Sequence, residues 1–179
     1  AKNYLSETLK QTDLSGVMAI ANAEQASLMQ RGQIDAAWVP EPWGSRLIIE
    51  SGARLIAEEK DLWPSGAFAT TVVVATPQFI ERYPELVEKF LKVHRDWTEK
   101  LSADPAGQLP QLKDALFALT RKELPPGTLD QAIARVKFTT DPLEDSIVTM
   151  AQLAHRLGFS RQAIKLDGII ETRFQPQGQ

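Results

Sequence analysis

The 179-residue sequence predicts an α/β chain, with short strands and helices alternating in the first half and helices dominating the second. Three observations carry that expectation. Short apolar runs at Val17 to Ala21, Ala36 to Val39 and Arg54 to Ala57 are separated by helix-like stretches, the β-α-β-α-β order of a parallel layered sheet, and Thr70 to Ala75 follows as a further strand. Glycines stand where helical patterns stop, at Gly32, Gly52 and Gly158, and glycine most readily takes the left-handed conformation that closes a helix. Beyond Asp104-Pro105 the leucines fall at helical spacing.

Taken in order, Lys2 to Lys10 shows only a sparse stripe, Tyr4, Leu5 and Leu9. Val17 to Ala21 reads as a strand and Asn22 as the cap of a helix over Glu24 to Arg31 that ends at Gly32. Ala36 to Val39 reads as a second strand, stopped by Pro40 and Pro42, which donate nothing to a ladder. Ser45 to Glu50 is a short helix ending near Gly52, and Arg54 to Ala57 another strand. The turn-prone cluster Trp63-Pro64-Ser65-Gly66 closes a charged stretch and marks a boundary. Thr70 to Ala75, β-branched and apolar, has the character of a strand covered on both faces.

Thr76 then caps a helix with Pro77 at its first position, where a missing N–H costs nothing, and Pro84 repeats the device. From there Leu86, Phe90, Val93 and Trp97, with Val87, Leu91 and His94 beside them, predict a helix with one buried face. Leu109, Leu112, Leu116 and Leu119 mark the next helix. Thr128 caps another, through Val136. Asp141-Pro142 starts a third, carried by Leu143, Ile147, Met150, Ala151, Ala154 and Leu157 to Gly158. The polar end, Gln175 to Gln179, is expected to fray.

Composition excludes several classes. An apolar content of 43% is enough for a packed core, so wholesale disorder is not expected. The net charge of −3, from 20 basic and 23 acidic residues well mixed along the chain, provides no basic field for nucleic acid or anionic lipid. With no cysteine there is neither a disulfide framework nor thiolate chemistry. No apolar run of roughly 18 residues occurs, and no charged and then apolar leader opens the sequence.

No catalytic constellation stands out. Glu58-Glu59, Asp141 with Glu144-Asp145, and Glu81 with Glu85 are spaced as solvated charges. His94 and His155 are far apart, without a metal-ligand pattern, so no metal is expected. Neither G-x-S-x-G nor a phosphate-cradling glycine motif occurs, and no cofactor is expected.

The candidate binding residues sit past the end of the second strand. Glu41 lies between two prolines, where it either accepts hydrogen bonds from a ligand, braces a hinge, or is a plain surface carboxylate. Trp43 either packs its indole on an apolar ligand tail, with its N–H donating to an oxygen, or plugs the core. Trp38 shares a strand face with Pro40 and reads as core.

The run Ile34-Asp35-Ala36-Ala37-Trp38-Val39-Pro40-Glu41-Pro42-Trp43 resembles the solute-binding proteins of bacterial ABC importers for aliphatic sulfonates, nitrate and taurine. The resemblance extends through Asp61-Leu62-Trp63-Pro64, Thr70 to Ala75 and Phe79 to His94. It continues in Val136 to Leu143 and Ala151 to Phe159, which look like the tail of the sulfonate branch. It implies a type II periplasmic-binding-protein fold with two lobes, here incomplete because the N-terminal part of the family fold would lie upstream of Ala1. Residues 1–60 would then be the remainder of lobe 2, and residues 61–179 a hinge crossing with the C-terminal part of lobe 1. It also implies that a small anionic organic solute is held between lobes by Glu41, Pro42, Trp43, Thr70 and Thr71. The chain would work with an ABC permease complex, either in the periplasm or as an extracellular membrane-tethered protein. Missing strands would leave edges unpaired, so self-association of the chain is expected.

Two other readings compete. Met150 to Ile164 looks like a helix-turn-helix, with Gly158 at the turn, Ser160 as a cap, and Arg161, Gln162 and Lys165 facing a major groove, as in a DNA-binding regulator using residues 150–165. The acidic balance, with Glu144 and Asp145 on the preceding helix, opposes it, so no nucleic-acid partner is expected. An enzyme on the same fold, like the fungal pyrimidine-precursor synthases, would need a cysteine-rich motif that this chain lacks.

Overall fold

In the computed structural model, which describes residues 10, 13–63 and 65–174, secondary structure among the described residues is helical and contains no strand. The chain divides into two compact units, Ala1–Glu59 with Pro105–Lys137 and Lys60–Asp104 with Phe138–Gln179. The expected stripe at Tyr4, Leu5 and Leu9, the fraying of Gln175 to Gln179, and Pro64 within the boundary turn lie outside the described residues.

The first unit contains α1 (Asn22–Gln30), α2 (Trp43–Ser51), α5 (Leu109–Thr120) and α6 (Thr128–Ile133). α2 is its centre, packed against α1 on one side and α6 on another, with α5 against α6. Leu47, Ala26, Leu129 and Ala132 are its buried apolar side chains. Two cross-links fix α1 to α2: Gln30 Nε2 donates to the Glu50 carbonyl at 2.7 Å, and Ser51 Oγ donates to the Ala26 carbonyl at 3.1 Å. The end of α1 is a double-bonded glycine cap. Gly32, at φ +66°, lets its own N–H reach the Met29 carbonyl at 3.0 Å while the Gln33 N–H reaches Leu28 at 2.9 Å. Gly52 closes α2 in the same left-handed region.

The second unit contains α3 (Pro77–Arg82), α4 (Pro84–Ala103) and α7 (Glu144–Arg156). Thr76 Oγ1 accepts the Phe79 N–H at 3.2 Å and Pro77 opens α3, the capping arrangement that the sequence predicts. α7 ends as α1 does, with the Gly158 and Phe159 N–H groups returning to His155 and Ala154. Its first turn is tied to the chain before α3, because the Ser146 hydroxyl accepts the Ala69 N–H at 2.9 Å while donating to Leu143 at 2.7 Å.

The α/β expectation is overturned, and with it the sheets of a type II periplasmic-binding-protein fold. Val17 to Ala21, Ala36 to Val39, Arg54 to Ala57 and Thr70 to Ala75 form no ladder among the described residues. The central run, expected to be covered on both faces, is open: Val74 is 83% exposed, and Val72 and Val73 are about half exposed. The physical reason is that β-branched composition records a fitness for packing on a sheet, not a backbone preference that acts without neighbours. Where no second extended segment lies alongside, such a run stays irregular.

Smaller corrections concern caps and faces. Ala21, not Asn22, precedes α1 and makes no side-chain cap. Thr128 is the first residue of α6, its buried hydroxyl without a partner, and α6 stops at Ile133, short of Val136. On α4 the less exposed stripe is Val87, Leu91, His94 and Thr98, whereas Leu86, Phe90 and Val93 are each more than half exposed. The inward face is thus rotated by about one residue, roughly 100° on a helix of 3.6 residues per turn.

Candidate functional site

Pro40 to Trp43 is a tight turn that feeds directly into α2, with the Trp43 N–H bonded to the Pro40 carbonyl at 3.0 Å and a cis peptide between Glu41 and Pro42. Neither flanking proline offers an N–H, so the Glu41 carboxylate finds its donors further along the chain. Its Oε2 accepts the backbone N–H of Ser45 in the first turn of α2, at 3.0 Å. There an anion satisfies an orphan donor and meets the positive end of the helix dipole. Its Oε1 accepts from Arg135 Nη1 at 3.1 Å. The same Nη1 donates to Ser45 Oγ at 3.1 Å, and Arg135 Nε stands 3.7 Å from Glu58 Oε1.

The network is well shielded. Ser45 is fully buried, and the Glu41 and Arg135 side chains are 14% and 25% exposed. Gly44 makes the approach sterically open, since a Cβ there would lie 3.2 Å from Glu41 Oε1. Trp43, the first residue of α2, is half-buried, and the Arg46 guanidinium sits 5.1 Å from its ring centroid. Arg46 is itself held by Glu50 through paired bonds of 2.8 and 3.0 Å one turn on.

The other sequence-predicted positions fall as follows. Pro42 is the residue immediately before α2 and half-buried. Thr70 and Thr71 belong to the second unit, at a bend in the irregular run before α3, and both are exposed. Trp38, read as core, is 40% exposed. His94 is half-buried and stacked on Phe90, and His155 Nδ1 lies 3.2 Å from the Ser160 carbonyl. Among the described residues no group of three acidic, histidine or cysteine side chains is placed to hold a metal, and no helix is long and apolar enough to cross a membrane.

A broad open depression of about 670 Å³ lies against α7 in the second unit, lined by Val148, Ala151, Ile164, His155 and Asp167 among others. None of the sequence-predicted binding residues lines it. The helix-turn-helix reading finds no second helix: α7 stops at Arg156, and none follows Gly158 among the described residues.

Residues 6–108 match the NMT1-like family, a stretch that contains the Pro-Glu-Pro-Trp turn, Thr70 and Thr71. The chain belongs to the NMT1-like family. This is a family of binding proteins, related broadly to those for nitrate, sulfonates and taurine, and so a solute-binding rather than a catalytic role at family level. No curated protein and no solved structure matches this NMT1-like chain. Sequence reasoning reached Glu41 and Trp43 but missed Gly44, Ser45, Glu58 and Arg135. The available signal was a carboxylate between two residues without N–H groups, followed by glycine and serine at a helix start.

Proposed function

We propose that this chain is the extracytoplasmic solute-binding component of an ABC importer for a small sulfonate-like or related oxyanion. The observation carrying the reading is the Pro-Glu-Pro-Trp turn at the start of α2, inside the stretch matched to the NMT1-like family. It leaves the Trp43 indole half-buried rather than sunk in the core. An indole in that state offers an apolar face to an aliphatic tail and an N–H to an oxygen. The exposed hydroxyls of Thr70 and Thr71 suit an oxyanion, which such proteins hold with hydroxyls and backbone N–H groups as readily as with a full counter-charge. Glu41 and Pro42 shape the turn that presents Trp43. The carboxylate is already committed to Arg135 and Ser45, so its contribution to binding is made through position.

Calorimetric titration with taurine, a series of alkanesulfonates and nitrate tests the reading. Saturable heat with one of the sulfonates is expected, weakened at least tenfold by Trp43→Ala and by the double change Thr70→Ala with Thr71→Ala. No heat with any of these probes, or affinities unchanged in the variants, overturns it.

A further inference from the structure

Arg135 follows α6 by two residues, lies outside the stretch matched to the NMT1-like family, and belongs to no motif in the sequence. Its guanidinium nonetheless joins three separated segments of the first unit. Nη1 bonds both Glu41 Oε1 and Ser45 Oγ at 3.1 Å, and Nε faces Glu58 Oε1 at 3.7 Å. Arginine suits this place because its planar fork offers several donors in fixed directions, which a lysine ammonium does not.

We infer that Arg135 is the positioning residue of the candidate binding turn. It clamps the Glu41 carboxylate onto the first turn of α2 and thereby sets the attitude of Trp43. The chain of causes is short. The carboxylate is pulled toward α2 by one backbone N–H, that of Ser45. A single such bond does not hold a nearly buried carboxylate against the attraction of water. Arg135 supplies the opposite charge and a second bond, and its bond to the Ser45 hydroxyl fixes the guanidinium to the same turn of helix. With Arg135 removed, the carboxylate gains by swinging out to solvent, and the Pro40 to Trp43 turn, left with the Arg46 guanidinium 5.1 Å from the Trp43 ring as its side-chain contact, loosens around the indole. The significance for binding rests on the proposed role of Trp43, whereas the clamp itself does not.

The test uses the full chain with Trp38, Trp63 and Trp97 replaced by phenylalanine, so that Trp43 is the sole emitter. Acrylamide quenching of Trp43 is compared in the parent, Arg135→Met, Arg135→Lys and the pair Arg135→Met with Glu41→Gln, with helicity followed by far-ultraviolet circular dichroism. Arg135→Met is expected to raise the quenching constant of Trp43 about twofold at unchanged helicity. Arg135→Lys should restore it only in part, and Glu41→Gln in the Arg135→Met background should reverse much of the change, because a neutral amide needs no counter-charge. Quenching unchanged in Arg135→Met, or raised but untouched by Glu41→Gln, overturns the inference. If Arg135→Met does not fold, Arg135→Lys against Arg135→Lys with Glu41→Gln decides it by the same readout. Titration of the same variants with taurine, the alkanesulfonates and nitrate separates the two levels. An absence of heat with every one of these probes in the parent chain defeats the solute reading, while the clamp still stands or falls on the quenching.

Discussion

Replacing Gly44 by alanine sets two known effects against each other at one atom. Alanine in a helix is favoured over glycine by about 0.5–1 kcal/mol, so at an indifferent position on α2 the change would stabilise the chain. Here the new Cβ would stand 3.2 Å from Glu41 Oε1 and 3.6 Å from its carboxyl carbon, so the carboxylate must retreat by a few tenths of an ångström. Retreat lengthens the bonds to Arg135 Nη1 and to the Ser45 N–H, now 3.1 and 3.0 Å, toward the limit at which such bonds lose their strength. Hydrogen bonds to charged groups are worth roughly 1.5–3 kcal/mol, and losing a third to a half of two of them costs about 1–3 kcal/mol. Gly44→Ala should therefore lie between neutral and destabilising by about 2.5 kcal/mol in the native background. It should be stabilising by about 0.5 kcal/mol once Glu41→Ala has removed the obstacle. Urea unfolding of the four chains, compared only where the slopes agree, measures the coupling. The same sign and size of effect in both backgrounds would refute the steric account and with it the closeness of Glu41 to α2.

Three further outcomes can be checked independently. Gly52 closes α2 at φ +66° with open space where a Cβ would stand, so Gly52→Ala should cost about 1 kcal/mol in urea unfolding through backbone strain alone. Conversely Arg121→Gly, at φ +55° after α5, should gain about 0.5 kcal/mol, the strain relief exceeding the entropy of the added glycine. Opposite signs would show that these ends are not left-handed. Side-chain bonds from Arg173, then its backbone N–H, hold the Glu171 carboxyl at about 2 instead of 4.5. A folded-state value below the unfolded one means that this pair contributes fully above the ordinary glutamate range and is lost as pH falls toward 2. The partners are two residues apart and exposed, so the global stability change should be slight and carboxyl NMR is the proper readout. A midpoint near the ordinary value would refute the pairing.

The helices were legible because their ends are written locally. Gly32, Gly52 and Gly158 all adopt the left-handed conformation expected of helix stops, and Thr76-Pro77 caps α3 through a bond three residues long. The strands were not legible, because Val72 to Val74 state only that a sheet would accept them, and acceptance needs a partner that periodicity does not name. The face of α4 was misplaced by one residue for a related reason. Both Leu86-Phe90-Val93 and Val87-Leu91-His94 are apolar enough to face inward, and the packing chose the second. At the site, Glu41 and Trp43 were readable from their odd setting between prolines. Arg135 was not, since 94 positions separate it from Glu41 and nothing in its surroundings distinguishes it from a surface arginine.

The carboxylate seated on α2 also bears on selectivity. A helix N-terminus with a guanidinium beside it attracts any oxyanion that can reach it, including ions far more abundant than the solute. In this chain the seat is taken by a group tethered only four residues away, which acts as a competitor at an effective concentration of about millimolar or higher. A free anion has to displace that internal occupant to enter, so every free anion binds there more weakly, by the ratio of the effective concentration to the carboxylate's own dissociation constant. On the proposed function, an oxyanion solute would be recognised by its tail and by hydroxyls, where shape counts as well as charge.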